Sequence, residues 1–139
     1  MKRHLLIAGL LLMTVAGAGC IVIDVEEGYS CEPATVESRE TTVQEIDAIG
    51  RLGFEDDRHR GFKRIAERSD LSDDVQVHLI EATFEKLGFE VSRTDVLLAL
   101  VNNPCFSSAG ETALLERLDR LGFEDSKRRI LEAINKAKA

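Results

Sequence analysis

The chain of 139 residues has no Trp and a single Tyr, Tyr29, which leaves few flat side chains for a base or a sugar ring to stack on. Histidine is equally sparse. His4 falls in the N-terminal segment, while His59 and His78 have no second ligand one helical turn away and no Cys beside them, whereas a metal centre needs three or four converging donors. His59, between Arg58 and Arg60, reads as a solvated surface residue, and His78 as part of a polar helix side. Ser107 and Ser108 lack a Gly-x-Ser-x-Gly context. Asp70, Asp73 and Asp74 lack the twelve-residue spacing, central Gly and closing Glu of a calcium loop, and read as helix caps. No nucleophile stands with a base, and no catalytic residue, cofactor or metal is implied. Positive charge is also short: 18 Lys and Arg face 25 Asp and Glu, a formal net charge of −7. A negative body without a segregated basic face is repelled by phosphate backbones, so nucleic acid is not the expected partner.

What the chain does have is a repeat. Leu-Gly-Phe-Glu begins at Leu52, Leu87 and Leu121, spacings of 35 and 34 residues. A period of that length marks supersecondary units that bury their apolar faces only against one another, an architecture suited to binding surfaces. Six helices can be placed around the three copies. A Thr42–Glu45 capping box opens the first, with Ile46, Ile49 and Leu52 on one face. The second covers about residues 56–68, with Phe62, Ile65 and Ala66 inward. Ser72 caps the third, whose Val75, Leu79, Ala82 and Leu87 follow the helical period. The fourth starts at Ser92 with Asp95 and stops at Asn102-Asn103-Pro104. Ser108 with Glu111 opens the fifth, carrying Leu114, Leu115 and Leu118, and the sixth runs from Asp125 with Ile130, Leu131 and Ile134 inward.

The repeated tetrapeptide then reads as a joint. Gly53, Gly88 and Gly122 are expected as left-handed helix caps, Phe54, Phe89 and Phe123 as core plugs folded back on the preceding turn, and each Glu as a charge at the start of its own helix. Residues 96–101, Val-Leu-Leu-Ala-Leu-Val, are apolar on every side, which places the fourth helix at the centre of the array. The expected fold is all-α: three helix-turn-helix units packed as a short helical-repeat array over residues 41–139.

Upstream of the array lies an address. Lys2 and Arg3 precede an apolar run at residues 5–15 and a small-residue stretch, Ala16-Gly17-Ala18-Gly19, before Cys20: an export signal over residues 1–19. The run is shorter than the roughly 20 residues that span a bilayer. Gly-Ala-Gly-Cys resembles a relaxed lipobox and makes Cys20 a lipidation site, anchoring the chain to a membrane; cleavage after Ala18 would instead release a soluble protein from Gly19. Residues 20–40 read as a flexible linker. With Cys20 acylated, Cys31 and Cys105 remain as a pair that export would allow to oxidise; without acylation Cys20 with Cys31 is a rival pairing. Arg58, Arg60, Lys63 and Arg64 on the second helix and Lys127 and Arg128 on the sixth read first as solvated helix faces with local ion pairs, and as the alternative they outline a basic interaction face for anionic lipid or an acidic protein.

Phe54-Glu55-Asp56-Asp57, Gln76-Val77 ahead of Phe84 and Phe89-Glu90, and Phe123-Glu124-Asp125-Ser126-Lys127 leading to Ile130 and Leu131 resemble the bacterial domain of unknown function 4476 family. The likeness covers about residues 46–134 and implies a series of helix pairs in an envelope protein, with no activity or catalytic residues to carry over. The chain departs from it at residues 102–108, Asn-Asn-Pro-Cys-Phe-Ser-Ser, where the family has Asp followed by Asn and Tyr. A tetratricopeptide-like superhelix shares the period but lacks its Trp, Gly-x-x-Tyr and closing Pro here. The reading is therefore a non-catalytic, exported cell-envelope lipoprotein whose array binds another protein or peptide. The alternative is a soluble periplasmic or secreted protein that binds a small ligand, or acts as an enzyme, in a groove between helix pairs.

Overall fold

A computed structural model of the chain describes Cys31 and residues 34–139. Six α-helices and no strand occur among the described residues: α1 Val36–Gly50, α2 Glu55–Ala66, α3 Asp73–Lys86, α4 Glu90–Val101, α5 Ser108–Arg117 and α6 Glu124–Lys138, with a 3₁₀ turn at Leu118–Arg120 after α5. No helix is long and apolar enough to cross a membrane. The helices α1, α3 and α5 pack side by side as one layer and α2, α4 and α6 as the other, with α1 against α2 and α3 against both α2 and α4 across the layers.

Local chemistry explains most boundaries. The first helix opens earlier than its capping box suggests, because the Thr35 hydroxyl accepts the Ser38 N–H at 3.2 Å and starts the helix about two turns upstream. Residues 36–40, assigned to the linker from sequence, are thus helix, and Thr42 lies buried within it, donating its hydroxyl to the Ser38 carbonyl. Glu45, released from capping, reaches Arg68 at 2.7 Å. Likewise α4 begins at Glu90, ahead of Ser92, and α5 is capped by Ser107, whose hydroxyl accepts the Gly110 N–H.

The core lies between the layers, built from Ile46, Phe62, Leu79, Phe84, Leu97 and Leu114 among others. It is shared between α3 and α4 and not centred on α4 alone: α3 packs against α1, α2, α4 and α5, and α4 against α2, α3 and α6. In a two-layer stack every helix keeps an outer face. On α4 that face carries Val91, Asp95, Leu98 and Asn102 at helical spacing, so Leu98 is half-buried while Leu97 and Leu100 are enclosed. Leu52, Leu115 and Leu131, expected inward, are exposed for the same reason.

Two buried amides tie the α4–α5 connection to the α2–α3 connection. Asn103 donates to the carbonyls of Ala66 and Arg68 and accepts from the Cys105 N–H; Gln76 donates to the Leu71 and Cys105 carbonyls and accepts from the Ser107 N–H. A buried amide with all these bonds made fixes a loop more sharply than apolar packing does, since any slip leaves a polar group unpaired. Cys31 is bridged to Cys105 in this connection, with Cα atoms 5.4 Å apart.

Candidate functional site

Each Leu-Gly-Phe-Glu copy is extended at Phe, and also at Leu87 and Leu121, and enters an even-numbered helix at its Glu. None of the three glycines has a positive φ, so the left-handed caps expected from the sequence are not formed. Gly88 and Gly122 instead allow close approach. The Glu55 carboxylate accepts the Gly88 and Phe89 N–H groups at 2.9 and 2.6 Å, and the Glu90 carboxylate accepts those of Gly122 and Phe123 at 2.7 Å each. A Cβ on Gly88 would lie 3.0 Å from Glu55 Oε2, and one on Gly122 3.1 Å from Glu90 Oε2. The glutamate of one unit therefore caps the helix of the next, where its charge also meets that helix's positive end.

A basic residue six positions after each Leu completes this latch. Arg58 donates to the Leu52 and Lys86 carbonyls, and Arg93 to the Leu87 carbonyl. The repeated unit is therefore Leu-Gly-Phe-Glu-x-x-Arg/Lys, with Lys127 in the third copy. Burial works to raise the Glu55 pKa, but the Phe89 and Gly88 amides, with Arg58 and Arg93, outweigh it and hold the carboxyl below its ordinary value. Glu90 follows the same pattern: burial opposes, and Phe123, Gly122, Ser126 and Arg93 prevail.

The phenylalanines point outward at all three joints. Phe54, Phe89 and Phe123 are 76, 69 and 64% exposed, so they are not core plugs. The backbone is extended at each Phe, whether its amide is held by a neighbouring glutamate, as at Phe89 and Phe123, or not, as at Phe54. Because the joints are latched side by side, the rings form a row along the starts of α2, α4 and α6, about 8–10 Å apart at ordinary helix spacing. Exposed Val91 extends the row. Beside it, between α4 and α6, lies a concavity of about 380 Å³ lined by residues that include Val91, Thr94, Asp95, Phe123 and Arg129. The Thr94 hydroxyl is buried there with no partner among the described residues.

The six residues of the expected basic face are placed apart and mostly engaged. Arg58 is turned into the latch, Arg60 pairs with Asp57, Lys63 with Asp95, Lys127 with Glu124, and Arg128 with Asp125 and Glu132. Arg64 alone of the six has no acidic partner among the described residues, and it lines a shallow groove between α1 and α2. Local pairing of this kind leaves little positive field for a distant anion.

His59 is not solvated as its neighbours in the sequence suggest. It is half-buried, with Nε2 2.8 Å from Asp95 Oδ2, and Lys63 Nζ reaches both oxygens of the same carboxylate at 3.1 and 2.9 Å. Burial pushes the Asp95 pKa up, but Lys63 and His59 outweigh it and hold the carboxyl below its ordinary value. A carboxylate so held is a weak proton acceptor; its chemistry is to tie α2 to α4. His78 plays the matching part in the other layer, 2.8 Å from Asp47 of α1. Among the described residues no group of three His, Cys, Asp or Glu side chains converges as a metal site. The segment expected to be an export signal and Cys20 lie outside the described residues.

Comparison of the chain with protein-family models, with curated proteins and with solved structures finds no match. The resemblance to the domain of unknown function 4476 family thus rests on the residues quoted for it alone.

Proposed function

We propose that the chain is a non-catalytic, exported lipoprotein whose helical array is a protein or peptide interaction module. The observation that carries this reading is the row of exposed Phe54, Phe89 and Phe123. A soluble domain with only six Phe exposes half of them in register along one edge, where burying them would have stabilised it by about 1.5–3 kcal/mol each. Exposed aromatic side chains in a contiguous patch, bordered by charged residues, are the composition of binding surfaces. The concavity between Val91 and Phe123 is of a size to take one apolar side chain of a partner, with Asp95 and Arg129 at its rim. The cysteine bridge fits an oxidising compartment, and Cys20 after a small-residue stretch supplies the anchor.

Photocrosslinking tests the surface. A benzophenone side chain at Phe89 is expected to trap a discrete partner in intact cells, and one at exposed Glu116 is not. Replacing the three Phe by Ser should abolish the product without lowering the melting temperature; an unchanged product refutes the Phe row as the interface. For the anchor, the mature protein should carry an acylated Cys20 and Cys20→Ala should leave the membrane fraction, whereas an unmodified chain starting at Gly19 ends the lipoprotein reading.

A further inference from the structure

The latch is used twice within the chain, and both of its halves are left over at the ends. Glu124, the third copy of the latching glutamate, is 87% exposed and meets no Gly-Phe amide among the described residues, against 16% exposure for Glu55. At the other end the N–H groups of Gly53 and Phe54 have no acceptor among the described residues, and a Cβ on Gly53 would meet nothing within 4 Å. Gly53 thus has neither the positive φ nor, within the monomer, the close approach that requires glycine. Arg58 stands beside it in the place from which Arg93 supports Glu55.

We propose that copies of this chain associate head to tail, the Glu124 carboxylate of one copy accepting the Gly53 and Phe54 N–H groups of the next and so continuing the array. The flanking helices agree in charge. Inside the chain Lys63, eleven residues after Leu52, pairs with Asp95, eight residues after Leu87. The equivalent pair across copies is Glu132 on the outer side of α6 and Arg60 on the outer side of α2, again opposite charges with the signs exchanged. Both are exposed and hold only exposed intrahelical partners, Arg128 and Asp57, which surface exchange readily replaces. Arg128, in the position of His59, keeps Asp125. Such a contact is heterologous: it uses different surfaces on the two copies and leaves the ends free, so it yields short filaments or rings in place of a closed dimer. The Phe row would run on unbroken from Phe123 of one copy to Phe54 of the next. The inference does not rest on what binds that row.

Sedimentation velocity of the full chain, carrying Cys20→Ser to exclude acylation, tests it. The mean mass is expected to rise with concentration past that of a dimer. Glu124→Ala removes the acceptor and Gly53→Val fills the space the carboxylate enters, and neither side chain position touches the monomer core. Each variant should melt with the parent protein and associate at least about tenfold more weakly. Mixed in equal amounts, the two should form dimers and nothing larger, since only one intact junction can assemble. A parent chain that stays monomeric to about 1 mM, or variants that associate as the parent does, overturns the proposal.

Discussion

The carboxylate of Glu55 accepts the backbone N–H of Phe89 at 2.6 Å across a separation of 34 residues, one full unit of the array. The relationship makes a single side chain serve as the first residue of one helix and the cap of the next. It recurs between Glu90 and Phe123, so units are held together by polar bonds at their edge as well as by the apolar core.

Removing either glutamate should expose this division of labour. Two charge-assisted hydrogen bonds are lost in Glu55→Ala and in Glu90→Ala, and each variant is expected to be about 2–3 kcal/mol less stable in urea melts. Glu124→Ala makes no such bond within the monomer and should melt unchanged in dilute solution. Three equal losses would show that the glutamates act only through their own helices.

Acid should loosen the same contacts. Folded Glu55 and Glu90 both titrate below their ordinary value of about 4.3, so on acidification the unfolded chain binds protons first. Their stabilisation is complete above that value, declines as the pH falls through it, and is gone below the folded pKa. Stability measured from pH 7 to pH 3 should therefore drop more steeply for the parent than for a Glu55→Gln, Glu90→Gln double variant; parallel curves would remove the latch from the account.

The glycines separate close approach from backbone freedom. Gly88→Val sets a branched side chain against Glu55 Oε2 and is expected to cost about 1–2 kcal/mol by opening the two bonds. Gly53→Val, in the same motif with open space around it, should lie within about 0.5 kcal/mol of the parent in dilute solution. Equal effects at the two sites would point back to a conformational requirement.

Along α4, burial sets the order of damage. Leu97→Ala and Leu100→Ala should each cost about 2–5 kcal/mol, and Leu98→Ala, on the outer face, about 1 kcal/mol. Denaturant midpoints that rank Leu98 with the other two would mean that something covers the outer face.

Opening the Cys31–Cys105 bridge frees a loop of 74 residues, worth about 4 kcal/mol in the chain-entropy model. Thermal melts of the Cys31→Ser variant are expected to fall accordingly, and so are those of the parent under reductant. A melt insensitive to both would leave the two buried amides as the main tether of the α4–α5 connection.

Much of this architecture is legible in the residues themselves. Six helices follow from apolar spacing, and inward positions such as Phe62, Leu79 and Ile130 are enclosed as their period implies, because a helix presents one face whatever it packs on. The repeat fixes where one helix ends and the next begins. Boundaries moved where two caps competed: Thr35 and Ser107 each lie upstream of another candidate cap, and each accepts a first-turn N–H in the folded chain.

The joint is where sequence stops being enough. From its composition Leu-Gly-Phe-Glu is a glycine-capped turn with an inward Phe, and that is a sound local expectation for a single helix end. Only the stacking of a second unit brings a carboxylate to the amides of Gly88 and Phe89 and of Gly122 and Phe123, and in the folded array Phe54, Phe89 and Phe123 all face solvent. Helix and repeat are set by contacts within a few residues, which periodicity records. The hydrogen bonds that join one unit to the next are made to a partner 33 residues away, as Glu55 is from Gly88, and no local pattern carries that information.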